Sequence, residues 1–426
     1  MNNFKVSIEK NGVLTAAGRL TGESHLSTCF KYDADYLASE NAQPISVRLP
    51  LQSEPFSAEQ TKLFFDGLLP EGYIRMSIAD SMHFNPDDYV TVLHKLGCEC
   101  LGAIMISDDE DHYTAAYESL SKKQLNDFAK EGASKSIELV SRSHLSLAGA
   151  SGKAGLYYDK KHDRWYLPVG TAPSTHIVKQ SHVRQDSLVL NEQLCMLTAG
   201  LCGLDVPNSV IINTAAGGDE DILFATERYD RIIPDNHAEN NGLPVPLRLH
   251  QEDFAQALGI PAADKYEKSG DNYLKLMFDL IRTKSSYPLE DMTKLWDRIV
   301  FSCLIGNADA HLKNYSILYE SDLSSKRLAP VYDIVSTAIY TSSSRNLSVS
   351  IGDAETLDDL NMDAFRAASA AAGIGENYAV RRVCAMTEQL PKALSEAAAS
   401  LASQGFPKAL EIADRIKAES VMLKQK

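Results

Sequence analysis

Apolar and polar positions alternate through FKVSI and GVLTAAGRL near the start of the chain, the period of half-buried strands. The spacing changes in SAEQTKLFFDGLLPEG, which predicts a helix running to Pro70 and Gly72. A small α+β unit over residues 1–110 is the expectation. The stretch SDDEDHYTAAYESLSKKQLNDFAKEGASK is charged and poor in apolar residues, and predicts a surface helix within a connecting segment, 111–140. Short strands follow: LSLAGASGKAGLYY, a polar turn DKKHDR, WYLPV and THIVK. An amphipathic helix is expected around Asn191 to Leu201, then strands in VPNSVIIN and ILFATERYD, giving a strand-rich lobe over 141–247. Helical spacing dominates 248–426, through LHQEDFAQALG, NYLKLMFDLIRT, EDMTKLWDRIVFSCLIGN and an Ala-rich final third, broken by a predicted hairpin of YSILY and LAPVYDIVS.

A chain of 426 residues has room for two or three such units around at least one sizeable core. No stretch approaches the apolar length of a membrane span, and MNNFKVSIEK lacks the layout of a signal peptide, so a cytoplasmic protein is expected. Seven scattered cysteines form neither a disulfide framework nor paired metal knuckles; Cys98 and Cys100 read as ordinary buried thiols. The net charge of −15 repels a polyanion, so any nucleic-acid complex would need a basic partner to supply the phosphate contacts.

The chemistry concentrates in GNADAHLKNY. Asp309 and Asn314 have the D-x-x-x-x-N spacing of a phosphotransferase catalytic loop, in which the Asp takes or orients the substrate proton and the Asn holds a metal ion. Spacing alone is equally met by a polar loop capping a helix. Context favours the chemical reading, because VYDI brings a second carboxylate, Asp333, after the next predicted strand, and such hard oxygen donors suit Mg²⁺. Asp333 by itself would serve as well to cap a turn. Upstream, LAGASGK is a small-residue loop whose N–H groups could approach phosphate, although it lacks the spacing of a P-loop. Lys179 ends an apolar strand, where a lysine is costly to bury without an anion. Glu192 opens the following helix and either pairs with Lys179 or answers the helix dipole.

With ISVRLPL, FFDGLLPEG, LGCECLGAIMI, LSLAGASGK, TAPSTHIVK, TERYDR, RLHQEDFAQALG, KYE, GNADAHLKN and APVYDIVST in this order, nearly the whole chain resembles the HipA-type serine/threonine kinase toxins of bacterial toxin–antitoxin modules. The resemblance implies a two-lobed, protein-kinase-like α+β fold: a strand-rich lobe preceded by an extra N-terminal subdomain, an all-helical larger lobe, and ATP between the lobes. It implies Asp309 as catalytic base, Asn314 and Asp333 as Mg²⁺ ligands, Lys179 on the ATP phosphates, and Ala148, Gly149, Ala150, Ser151, Gly152 and Lys153 as the phosphate loop. Glu227, Arg228 and Tyr229 would line the adenine, largely through backbone groups, while His311, Lys313 and Tyr332 belong to the nucleotide-contacting surroundings. Ser146 matches the family's autophosphorylated serine; a phosphate there would repel the loop from the ATP phosphates. The loop departs from the family at Ser151 and Gly152, which makes Ser151 an alternative site of modification.

The function so implied is an ATP- and Mg²⁺-dependent protein kinase acting as a toxin. Its expected partners are a HipB-like helix-turn-helix antitoxin, operator DNA through that antitoxin, and a protein substrate such as an aminoacyl-tRNA synthetase, with glutamyl-tRNA synthetase the family's best-known target. No membrane partner is expected. Two other readings stay open: a lipid or small-molecule kinase, whose catalytic loop D-x-H-x-x-N also resembles, and an inactive scaffold bridging an antitoxin to DNA.

Overall fold

The computed structural model describes residues 2–108, 114–143, 147–148, 152–181, 185–215, 217–420 and 422. Ser146, Gly149, Ala150 and Ser151 lie outside them. The chain divides into two units, one of Met1–His182, Ala225–Ala262 and Ile317–Lys326, the other of Val183–Phe224, Ala263–Ser316 and Arg327–Lys426.

In the first unit, β1 (Asn2–Lys10) and β2 (Val13–Gly22) form an antiparallel hairpin. Its turn residues Asn11 and Gly12 both take positive φ, as the tight two-residue turn requires. With β3 (Cys29–Tyr32) and β4 (Ile104–Ser107) the sheet order is β3-β2-β1-β4. The alternation read from the sequence buries Val6, Ile8, Leu20 and Phe30. The helix Ala58–Phe65 starts on a reciprocal cap between Ser57 and Gln60 and buries Phe64 and Phe65. A second sheet takes β5 (Ala116–Ser119), β6 (Lys153–Asp159), β7 (Arg164–Val169) and β8 (His176–Gln180) in the order β5-β7-β6-β8, continued by the strand Ile222–Glu227. The charged stretch after residue 110 therefore supplies an edge strand as well as the helices Lys122–Glu131 and Ala133–Ser143.

The two sheets of this unit meet over a buried, charge-neutral cluster. Glu9 comes from β1, and Glu99 from the turn before β4. Arg228, Asp230 and Arg231 follow the strand Ile222–Glu227, and Arg248 completes the set; even the most open of these side chains, that of Glu9, is only 8% exposed. Arg231 and Arg228 reach Glu99 at 2.8 and 3.2 Å, and Arg248 bridges Glu99 at 2.8 Å and Glu9 at 3.0 Å. Main-chain groups take up further donors and acceptors: Gly102 N–H donates to Asp230, while Arg228 and Arg231 both donate to the Cys100 carbonyl. Burial alone would push Glu99 upward, but Arg231, Arg248 and Arg228 outweigh it and hold the carboxyl at about 2. The neighbouring Cys98 and Cys100 are free, buried thiols, as expected; desolvation pushes Cys100 up to about 12.

The predicted hairpin forms with a different second strand. Ser316–Tyr319 is the middle strand of a three-stranded sheet between Gln251–Asp253 and Lys326–Leu328, and APVYD lies beyond it as irregular chain. Pro330 has no N–H to give a ladder, and Asp333 sits at φ 58°, a left-handed conformation that no strand accommodates.

Helices dominate the second unit: Leu188–Leu201, Tyr273–Lys284, Pro288–Leu304, Met362–Ala372, Glu376–Ser403 and Lys408–Glu419. Trp296 is fully buried among Phe278 and Phe365. The Ala-rich third is helical, with Ala368, Ala379 and Ala398 packed inside. Expected to be all helix, this region also carries a small hairpin, Asn346–Ile351 with Ala354–Thr356, which matters for the site below.

Breaking a buried charge pair strands its partner, so Glu99→Gln is expected to cost about 3–5 kcal/mol of stability in urea unfolding at pH 7. A depressed carboxylate stabilises fully above its ordinary value of 4.5 and loses that contribution as pH falls to about 2. The gap between wild type and Glu99→Gln should therefore narrow over that window; a gap independent of pH would refute the assignment.

Candidate active site

The catalytic-loop candidate begins where the helix Pro288–Leu304 stops. Gly306 takes φ +71°, and a Cβ there would lie 2.6 Å from that of Ala338, so the close approach needs glycine. Its carbonyl accepts from the N–H groups of Thr337 and Ala338 at 3.0 and 2.9 Å. Ala308 is fixed in turn: its N–H donates to Thr337 Oγ1, and its carbonyl accepts from the Ser348 N–H and hydroxyl, on the small hairpin.

Asp309 follows with its side chain exposed and its main chain held. Its N–H donates to Asn307 Oδ1 at 3.0 Å, and its carbonyl accepts from His311 N–H at 2.9 Å and Asn314 Nδ2 at 2.8 Å. The D-x-x-x-x-N spacing is thus a closed loop in which the Asn carboxamide spends its nitrogen on the Asp backbone and keeps its oxygen as an acceptor. His311 is buried, with its ring edge-on to Tyr266 at 5.2 Å. Lys313 is buried as well, and its carbonyl accepts from the Tyr332 hydroxyl at 3.0 Å; that hydroxyl also lies 2.6 Å from Ser316 Oγ.

Arg298 joins this loop to the segment carrying Asp333. From the buried face of the helix Pro288–Leu304, its guanidinium donates to the carbonyls of Asn314, of Tyr332 at 3.2 Å and of Pro330 at 3.5 Å, and stacks on Tyr315 and Tyr332 at 4.5 and 5.0 Å. One planar cation so ties the backbone at Asn314 to the backbone just before Asp333. Beyond Asp333, the fully buried Asn191 of the helix Leu188–Leu201 donates to the Ser336 carbonyl at 2.9 Å and accepts from Ser336 N–H at 3.2 Å. The sequence reading missed both residues. Arg298 had left a signal, a cation inside the apolar run LWDRIVFSCL.

Asn314 and Asp333 offer hard oxygen donors, and among the described residues no three His, Cys, Asp or Glu gather as a metal cage. That donor set fits Mg²⁺, which keeps waters and takes phosphate oxygens beside one or two protein ligands. When bound, the ion would neutralise charge on the phosphates.

In the first unit, strand register makes Lys153 and Lys179 direct partners across β6 and β8. Ala148 and Gly152 are the other described loop residues. Glu227 pairs with Lys160, and the Tyr229 hydroxyl donates to Gln251. Arg228 is committed to the buried cluster; its N–H donates to the Thr175 carbonyl, and its own carbonyl accepts from Arg231. Glu192 is buried on the helix Leu188–Leu201.

Residues 11–107 match the model of the HipA N-terminal domain, and residues 145–395 match that of the HipA-like C-terminal domain. The chain belongs to the HipA family. Among its HipA relatives is a putative kinase, Y4mE, of Sinorhizobium fredii, 32% identical over 89% of this chain and 88% of that one. The serine/threonine-protein kinase toxin HipA of Shewanella oneidensis is 27% identical over 90% of each chain. In fold, the chain matches HipA from a structure of the S. oneidensis HipA, HipB and operator DNA complex, with a TM-score of 0.79 and 22% identity, covering 99% of this chain and 98% of that one. The two-lobed, kinase-like α+β fold implied by the HipA motifs is therefore the fold of this chain.

A lysine at 298 keeps the charge but cannot serve several carbonyls in one plane. Arg298→Lys is expected to lower unfolding free energy by about 1–3 kcal/mol, the cost of leaving buried acceptors unmet, as read by urea titration. An unchanged midpoint would show that the loop does not depend on this clamp.

Proposed function

We propose that this HipA-family chain is an ATP- and Mg²⁺-dependent serine/threonine protein kinase and the growth-inhibiting toxin of a two-component module. The observation that supports the reading is the Arg298 guanidinium, which bonds the carbonyls of Asn314 and of Tyr332, next to Asp333, while the Asn314 carboxamide bonds the Asp309 carbonyl.

In this mechanism a serine or threonine hydroxyl approaches Asp309. The carboxylate takes the proton as the hydroxyl oxygen forms its bond to the γ-phosphorus and the bond to the β,γ-bridging oxygen breaks, with ADP leaving. Asn314 and Asp333 would hold Mg²⁺, which would supply charge neutralisation, and Lys153, Lys179 and the phosphate loop would offset the polyphosphate charge. Glu227, Tyr229 and His311 contribute to the nucleotide's surroundings. The chain's acidity supports a basic helix-turn-helix antitoxin as the component that meets operator DNA, in the manner of the HipA, HipB and DNA complex from S. oneidensis. A soluble translation enzyme of the aminoacyl-tRNA synthetase class is the proposed substrate in the cytoplasm, with Ser146 or Ser151 as the site of self-modification.

Expression of Asp309→Ala is expected to leave growth unimpaired where wild type arrests it. With labelled ATP and lysate proteins, transfer should fall about 10²–10⁴-fold, the usual contribution of a general base. Full transfer by the variant would remove Asp309 from the mechanism, and label entering phosphoinositides instead of protein would reassign the substrate class.

A further inference from the structure

Tyr266 lies in KYE, a motif to which the sequence reading gave no chemical role. Its hydroxyl donates to Asp309 Oδ1 at 2.9 Å, its ring stands edge-on to His311, and the residue is 46% exposed. The backbone around it is pinned. The Lys265 carbonyl accepts from Leu312 N–H at 3.4 Å, in the catalytic loop itself. Glu267 N–H donates to the Ser348 carbonyl, and its carboxylate accepts from Tyr273 N–H at 2.6 Å and Ser350 N–H at 2.5 Å. Ser348 is the residue that also fixes the Ala308 carbonyl, so Tyr266 and Asp309 are referred to the same small hairpin.

We propose that Tyr266 is a positioning residue for Asp309: its hydroxyl fixes one carboxylate oxygen and so aims the other at the incoming serine or threonine hydroxyl. The claim rests on the kinase reading above. A carboxylate on an exposed loop otherwise rotates among several orientations, and only some place an oxygen within reach of the acceptor proton; restricting it acts on the transfer step rather than on nucleotide binding. The alternative, that Tyr266 blocks the base until displaced, is disfavoured by the bonds on both of its chain neighbours, which make it a strut instead of a swinging gate.

The test is a cycle of four full-length proteins: wild type, Tyr266→Phe, Asp309→Asn and the double variant. Each is assayed for incorporation of label from Mg-ATP into itself and into dephosphorylated casein, and for melting temperature. Tyr266→Phe keeps the ring and its contact with His311, and should lower kcat about 10-fold with KM for ATP unchanged. The double variant should be no slower than Asp309→Asn alone, since the hydroxyl acts only through the carboxylate. A kcat for Tyr266→Phe equal to or above wild type, or losses that multiply in the double variant, would overturn the proposal. If wild type itself transfers no label, the kinase reading fails and the positioning role falls with it, while the melting temperatures separately decide whether the Tyr266–Asp309 contact exists. Shifts that fail to add support the Tyr266–Asp309 bond, and shifts that add overturn it.

Discussion

A guanidinium taken out of water has to be met by acceptors, and in the second unit Arg298 is met by the main-chain carbonyls of Asn314 and of Pro330 and Tyr332, just before Asp333. The constraint works in both directions. Asn314, Pro330 and Tyr332 present carbonyls inward because the cation is there, and the cation is tolerated because they do. That cation ties the segment of Asn314, whose carboxamide bonds the Asp309 carbonyl, to the segment just before Asp333. Gly306, Thr337 and Ser348 serve the same end from the other side, holding the chain at Gly306 and Ala308 just ahead of Asp309.

The first unit solves a different problem with the same chemistry. Its two sheets meet over three carboxylates and three arginines drawn from LGCECLG, TERYDR, RLHQED and the end of β1. Several motifs that mark the family are therefore parts of one structural device. Arg228 illustrates the point. Read as part of a nucleotide-lining segment, its guanidinium is committed to Glu99, Asp230 and Ser174 inside the protein.

Strands with clear alternation, such as β1 and β2, and helices with strong caps, such as Ala58–Phe65, were legible because local pattern and burial agree in them. The course of APVYD was not, since Pro330 and the left-handed Asp333 make an apolar run that reads as a strand follow an irregular path. As site candidates, Asp309, Asn314 and Asp333 stand out by residue type and spacing. Arg298, Asn191 and Tyr266 do not, because each acts on a segment distant in sequence: Arg298 on Tyr332, Asn191 on Ser336, Tyr266 on Asp309. The register that sets Lys153 against Lys179 likewise exists only once β6 and β8 are paired.

The central claim is that the Asp309 loop transfers the γ-phosphoryl group of ATP to protein hydroxyls. Intact-mass and phosphopeptide analysis of the purified chain after incubation with Mg-ATP, wild type against Asp309→Ala, tests it most directly. The account predicts a mass increment of one phosphoryl group on a serine near the phosphate loop in wild type and none in the variant. An equal increment in both proteins would contradict it.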